Sequence, residues 1–278
     1  MLFSNPRISQ YLNSFVLILL MVFCEAGFSA RGWAGMHAAK DPEVDNAIGR
    51  ASALYKEFKT RDAVAELQRA LKIDPNNLEA LVWLARAQID LGDLIPQTEA
   101  DWQARRKQRY QTAEGYAQKA AKIDPKSTWA HFYAAVAMAK SAALSSVKEQ
   151  IALAHEIRDR VDKSIEMDPS NGFAYHVLGV WHRRMAEIGG AKRFMALVFL
   201  QGSVPKGSMG KSVQYLKKAL TYNPRVITHH LELAKTYQAL GKTELAKEHL
   251  QKVETLPVQF SDDGAHKQEA KGLLEEIQ

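Results

Sequence analysis

Small apolar residues recur along the chain at helical spacing, and each series stops at a proline. In the clearest instance Ala63, Leu67 and Ala70 are followed by Asp74-Pro75. Steps of three and four residues place such side chains on one face of an α-helix, where their small size lets a second helix approach closely. Proline lacks an N–H donor and disfavours helical geometry in the residue before it. The pattern therefore predicts helices with one close-packed face and a defined end.

The same spacing returns three more times, so it constitutes a repeat. The later instances end at Asp124-Pro125, Asp168-Pro169 and Asn223-Pro224. A large apolar helical pattern precedes each one, which predicts a helical hairpin of about 34 residues, the tetratricopeptide (TPR) unit. We expect an all-α fold of five such hairpins over residues 44–278. The stretch from Asp262 to Gln278 is typical of the capping helix that a stack of repeats needs.

Three hairpins are longer than the standard repeat, since successive prolines are further apart than about 34 residues. The additional residues fall at 95–109, 141–150 and 189–210. The third insertion contains an apolar run, Phe194–Leu200, beside Lys192, Arg193, Lys206 and Lys211. It predicts an extra helix packed on the bundle, with residues 202–210 as its loop. The alternative is a surface that touches a membrane or covers a ligand cavity.

The N-terminus is typical of an export signal. Arg7 precedes an apolar run from Phe15 to Cys24, which is about the length of a signal core and too short to cross a bilayer comfortably. We expect residues 1–30 to be a signal peptide and 31–43 a linker, with a periplasmic location if the source is bacterial. An uncleaved anchor or lipidation of Cys24 are the alternatives. Removal of the segment would leave no thiol, and thus no disulfide or cysteine chemistry.

Charge and motifs narrow the function classes further. The net charge of +6 and pI near 9.2 favour acidic partners or anionic surfaces, but no nucleic-acid-reading motif accompanies them. His176 and His182 do not share a helix face, and His229 and His230 point apart, so no metal site is predicted. GxSxG, P-loop and dinucleotide motifs are missing from the sequence. We therefore expect neither an enzyme nor a cofactor.

Four segments carry a family resemblance. They are LVWLARA (81–87), WAHFYA (129–134), FAYHVLGVWHRRMAE (173–187) and the stretch 192–219. They resemble the regulator-of-microtubule-dynamics family, here as a bacterial-type exported member. The resemblance implies a TPR-like domain over about residues 45–275. Eukaryotic members are linked to microtubules, and one tethers endoplasmic reticulum to mitochondria and binds phospholipid. An exported chain would not meet tubulin, so the microtubule role is not expected to transfer. A lipid or apolar-ligand role transfers more easily, since it needs only a cavity.

The inner face of the first helices supplies the candidate binding residues. Aromatic rings alternate there with cations, an arrangement that suits an anionic group on an apolar body. The residues are Arg86, Trp129, Phe132, Lys140, His176, Arg183, Arg184 and Lys235. We expect a non-catalytic scaffold or adaptor that binds a protein or acidic peptide. The alternative is a closed bundle that carries a phospholipid-like ligand in an apolar cavity walled by Phe132, Trp181 and Phe194.

Overall fold

The computed structural model describes residues 41–200 and 204–277, and within these ranges the chain forms twelve α-helices and no strand. They are α1 (Pro42–Lys56), α2 (Thr60–Ile73), α3 (Leu78–Asp93), α4 (Trp102–Ile123), α5 (Thr128–Ala143), α6 (Val147–Met167), α7 (Gly172–Glu187), α8 (Gly190–Leu200), α9 (Met209–Tyr222), α10 (Ile227–Ala239), α11 (Thr243–Thr255) and α12 (Asp263–Glu276). The described chain divides into two compact units, residues 41–137 and 138–277, with the boundary inside α5.

Each Asp-Pro step ends a helix as predicted, and the aspartate then shapes the turn. Helices α2, α4 and α6 all stop one residue before the aspartate. Its carboxylate accepts the backbone N–H two residues later, a geometry that replaces helical hydrogen bonding. The three bonds are Asn76 to Asp74 (3.1 Å), Lys126 to Asp124 (2.9 Å) and Ser170 to Asp168 (2.9 Å). The sequence signal thus combines a proline stop with an aspartate that satisfies the turn.

In the first unit, the small residues of the repeat form the core. Ala63, Leu67 and Ala70 are fully buried and pack in one cluster with Leu84 and Trp83. The predicted insertion appears as a second helix of 22 residues, α4, after a longer loop. Side chains of α4 hold that loop. Arg106 donates to the Ile95 carbonyl at 3.0 Å, and the Tyr110 hydroxyl donates to Asp93 Oδ1 at 2.7 Å.

In the second unit, a glycine allows two helices to approach closely. A Cβ at Gly179 on α7 would lie 2.6 Å from Leu216 Cγ on α9, so no larger residue fits without movement. Helix α8 lies between these two helices in the chain. Its Ala196 is buried in a cluster with Trp181 and Met185, and the Trp181 indole donates to the Ala154 carbonyl at 2.9 Å.

The all-α hairpin architecture is confirmed, including the three lengthened hairpins and the terminal helix, α12. The second insertion extends α6 to 21 residues. The third forms the extra helix α8, but its loop ends at Ser208, because Ser208 caps α9 and Gly210 lies inside that helix. Helix α1 begins at Pro42, while the predicted signal and residues 31–40 of the linker lie outside the described residues. Among the described helices, none has the length and apolarity to cross a membrane.

Candidate functional site: a charged pocket in the second unit

The second unit contains an open pocket of about 430 Å³. It is formed by the C-terminal ends of α7 and α10 and by α12. Its lining is mainly charged or polar and consists of Arg183, Arg184, Glu187, Lys235, Gln238, Ala239, Glu269 and Leu273. Three of the eight predicted binding residues, namely Arg183, Arg184 and Lys235, therefore come together at one place.

The cations of this pocket are paired with carboxylates from three helices. Arg183 donates to Glu187 at 3.2 Å and also to Glu232, whose side chain is almost fully buried. Lys235 Nζ lies 2.9 Å from Glu232 and 2.7 Å from Glu269. Arg184 lies 3.8 Å from Glu187. The site is therefore balanced between three cations and three carboxylates, and it is not the face of cations alternating with aromatic rings that the sequence predicted.

Burial and charge act in opposite directions on Glu232. Burial alone would raise the pKa of Glu232, but the charges of Lys235, Arg183 and Arg184 outweigh it and hold that pKa well below its usual value. Burial lowers the pKa of the Arg184 guanidinium, and the neighbouring Arg183 charge lowers it further. Glu232 is therefore a permanent anion that fixes Arg183 and Lys235 from behind. The surroundings of Arg184 thus disfavour its charged form, which an added anion would stabilise.

A pair of histidines lies deeper along the same two helices. His176 stands two turns before Arg183 on α7, and its Nδ1 is 3.0 Å from Nδ1 of His229 on α10. Both rings are completely buried and stacked. Burial lowers the pKa of His176 to about 4, and burial together with the neighbouring histidines lowers the pKa of His229 well below its usual value. One ring donates and the other accepts, so the pair is a neutral part of the core.

The other predicted binding residues make packing contacts inside the protein. Arg86 is buried with its guanidinium 4.4 Å from the Tyr55 ring centroid. Phe132 is fully buried and meets Trp129 edge to face at 5.6 Å. The predicted residues Arg86, Trp129 and Phe132 belong to the first unit. Lys140 belongs to the second unit and is also buried. In this structure Arg86, Phe132, Lys140 and His176 are thus closed to a ligand, whereas Arg184 and Lys235 reach solvent.

Sequence reasoning missed Glu187, Glu232 and Glu269. Two of them stand at helical spacing from a predicted cation, Arg183 to Glu187 at four residues and Glu232 to Lys235 at three. That spacing is a detectable signal, because such residues are neighbours on a helix surface. Glu269 comes from the terminal helix, and no local pattern ties it to Lys235.

A cluster of Asp262, Asp263 and His266 at the start of α12 also brings together groups that bind metals elsewhere. Asp262 faces Nε2 of the imidazole at 3.6 Å, and Asp263 faces Nδ1 at 4.0 Å. One ligand atom from each of the three groups lies within 4.8 Å of the others. Asp263 also accepts the N–H groups of Gln259 and Phe260 at 2.7 and 2.9 Å. The Asp263 carboxylate therefore stabilises the turn that leads into α12.

The repeated helical hairpins define a repeat protein of the TPR class. The family model "Regulator of microtubule dynamics protein 1-3" matches residues 47–278, and the chain belongs to that family. Its relatives include regulator of microtubule dynamics protein 1 of Mus musculus, 27% identical over 84% of this chain and 74% of the relative. The Bos taurus protein of the same name is 28% identical over 85% and 73%.

Solved structures support the fold assignment independently. A thermophilic TPR protein of Thermus thermophilus superposes with a TM-score of 0.59 at 17% identity, over 82% of this chain and 98% of its own. The type IV pilus biogenesis factor PilW gives 0.53 at 19% identity, over 86% and 91%. At such low identity these likenesses establish the architecture alone.

Proposed function

We propose that the protein is a non-catalytic TPR scaffold that binds an acidic segment of a protein partner at the charged pocket of the second unit. Stacked helical hairpins commonly serve as binding surfaces for polypeptides. The observation that carries the proposal is the half-buried Arg184, which opens into the pocket beside Lys235 while Glu232 holds the cations in place.

In this proposal, a carboxylate of the partner replaces one of the pocket's own carboxylates in an ion pair. Glu187 and Glu269 are its accessible carboxylates, with side chains 25% and 31% exposed. An acidic side chain of the partner would replace one of them at Arg184 or Lys235. A planar guanidinium favours two parallel hydrogen bonds to a carboxylate. Gln238 supplies an amide and Leu273 an apolar contact, so the pocket suits a peptide segment better than a free inorganic anion.

Site-specific photo-crosslinking in cells of the source organism tests the proposal. A photoreactive amino acid at Gln238 should capture one polypeptide, and the same group at the exposed Gln251 on α11 should not. Arg184→Glu should abolish the adduct while the far-UV circular dichroism stays the same. Equal adducts at both positions, or an adduct unaffected by Arg184→Glu, would remove the pocket from partner binding.

No observation in the described residues favours the alternative of an enclosed lipid cavity. Phe132 and Trp181 are each packed into the core of their own unit, and Phe194 is 66% exposed. The described pocket is open and lined by charged groups. An apolar ligand would need an apolar wall in contact with it.

We also propose that the scaffold acts in an exported compartment. The support is the N-terminal sequence pattern, with a cation followed by an apolar run of signal-core length. Cell fractionation combined with N-terminal sequencing of the purified protein tests this. A cytosolic chain that retains Met1 would contradict it.

A further inference from the structure

The extra helix α8 turns an apolar face outward. Phe194, Leu197 and Val198 are 66%, 59% and 51% exposed. They stand at positions i, i+3 and i+4, which share one side of a helix. Ala196 on the opposite side is buried in the core of the second unit. The small Ala196 of α8 therefore packs on the unit, while Phe194, Leu197 and Val198 face outward, the reverse of the usual arrangement on a globular surface.

The orientation of this face is fixed by a single arginine. Arg193 donates to the carbonyl groups of Met185 and Ile188 at the end of α7, the latter at 2.9 Å. It also donates to those of Val204 and Pro205 in the following loop, both at 2.9 Å. The guanidinium thereby ties both ends of the inserted segment together, and Lys206 follows directly after the bonded Pro205. These hydrogen bonds therefore hold α8 and its exposed apolar face in a fixed orientation on the second unit.

The segment of the chain that carries this face is basic. Residues 188–231 contain seven lysines and arginines and no aspartate or glutamate. Two of the cations, Lys192 and Lys206, adjoin the segment that Arg193 anchors, and Lys206 is exposed. Elsewhere the chain mixes both signs, as in the pocket described above. An exposed apolar helix face within a basic segment is complementary to a surface that is apolar inside and anionic outside.

We propose that α8 docks on an anionic lipid bilayer, with Phe194, Leu197 and Val198 entering the boundary between head groups and acyl chains. Lys192 and Lys206 would lie against the lipid phosphates. Each large side chain that leaves water favours docking, and each nearby lysine adds attraction to anionic lipid. This docking is independent of the peptide pocket, because no residue is common to both.

A fluorescent label on the helix tests the proposal with the full chain. Cys24→Ser removes the native thiol, and Val198→Cys then carries an environment-sensitive nitrobenzoxadiazole group, with Gln251→Cys as the matched control. Vesicles of phosphatidylcholine with roughly one third phosphatidylglycerol should raise and blue-shift the emission at position 198 but not at 251. The label reports its own position, so membrane insertion of another part of the chain does not produce this result.

Two double variants separate the apolar contribution to docking from the electrostatic contribution. Phe194→Asp with Leu197→Asp should weaken the vesicle response by about tenfold or more, because two large apolar side chains are lost. Lys192→Glu with Lys206→Glu should weaken it for phosphatidylglycerol vesicles and make it less sensitive to salt. Phe194, Leu197 and Lys206 are exposed and Lys192 is half-buried, so an unchanged melting temperature would show that folding is retained.

Three results would overturn the proposal. The first is no response at position 198 to anionic vesicles, and the second is an equal response to pure phosphatidylcholine. The third is an emission shift that depends on protein concentration without lipid, since this would show that a second copy of the chain covers the face.

Discussion

The carboxylate of Glu232 on α10 accepts a hydrogen bond from the guanidinium of Arg183 on α7, and both side chains are about 95% buried. This ion pair joins two hairpins of the second unit at the floor of the charged pocket. A buried charge that loses its partner keeps its desolvation penalty, so such pairs respond strongly to single substitutions.

The first prediction concerns this pair. Arg183→Met and Glu232→Gln should each reduce the free energy of unfolding by about 3–5 kcal/mol, because each leaves buried charge without compensation. Combining the two should cost clearly less than the sum, which urea denaturation of all three variants would show. Strictly additive losses would mean that the two groups do not interact.

The second prediction concerns the close approach of α7 and α9. Gly179→Ala should destabilise the protein by about 1–3 kcal/mol, because the new methyl group meets Leu216. Gly115 on α4 is exposed, and nothing lies within 4 Å of an added Cβ there, so Gly115→Ala should stabilise by about 0.5–1 kcal/mol. Opposite shifts in the denaturation midpoints confirm the packing, and equal shifts contradict it.

The third prediction is a loss of stability in mild acid. Because burial lowers the pKa of His176 to about 4 and that of His229 well below its usual value, the unfolded chain binds protons that the folded chain does not. Stability is therefore complete above about pH 6.5 and falls as the pH decreases toward about 4. Each histidine should contribute a slope of roughly 1 kcal/mol per pH unit in this range.

Urea denaturation above pH 5 checks this slope before Glu232 can contribute, since the pKa of that carboxyl lies below its usual value. His176→Asn should make the stability less dependent on pH, whatever its effect on stability at neutral pH. The exposed Gln251 on α11 provides the control, since an amide side chain binds no proton in this range and Gln251→Asn should leave the slope unchanged. An identical slope in both variants would exclude the buried pair as its cause.

The fourth prediction concerns the pocket carboxylates. Glu269→Gln removes the anion that lies 2.7 Å from Lys235, so a labelled oligoglutamate peptide should bind roughly two- to fivefold more tightly. Arg184→Glu should abolish that binding. Fluorescence anisotropy at low and high salt measures both effects, with the exposed Glu244→Gln on α11 as the control. If Glu269→Gln binds no more tightly than the control variant, Glu269 does not compete for Lys235.

Much of the fold could be predicted because its signals are local. Ala63, Leu67, Ala70 and Asp74-Pro75 lie within one helix and its turn, and each acts through backbone geometry or through size. The site was only partly predictable. Periodicity placed Arg183 and Arg184 on the inner face, but Glu269 meets Lys235 only because the terminal helix packs there.

The aromatic residues show the same limit. The sequence does not distinguish Phe132, which is fully buried, from Phe194, which is mostly exposed, since both lie in apolar helical stretches. Exposure depends on which helix covers which face.

By itself, the amino-acid sequence determined the helices, their ends, the number of hairpins and the positions of the three insertions. These follow from steric preferences and small side chains within about 34 residues. Only the tertiary structure decided that the predicted cations are neutralised by Glu187, Glu232 and Glu269, that His176 packs against His229, and that Phe194, Leu197 and Val198 of α8 face outward. Each of these depends on contacts with other helices, and the period of a helix shows which face is apolar without showing what lies opposite.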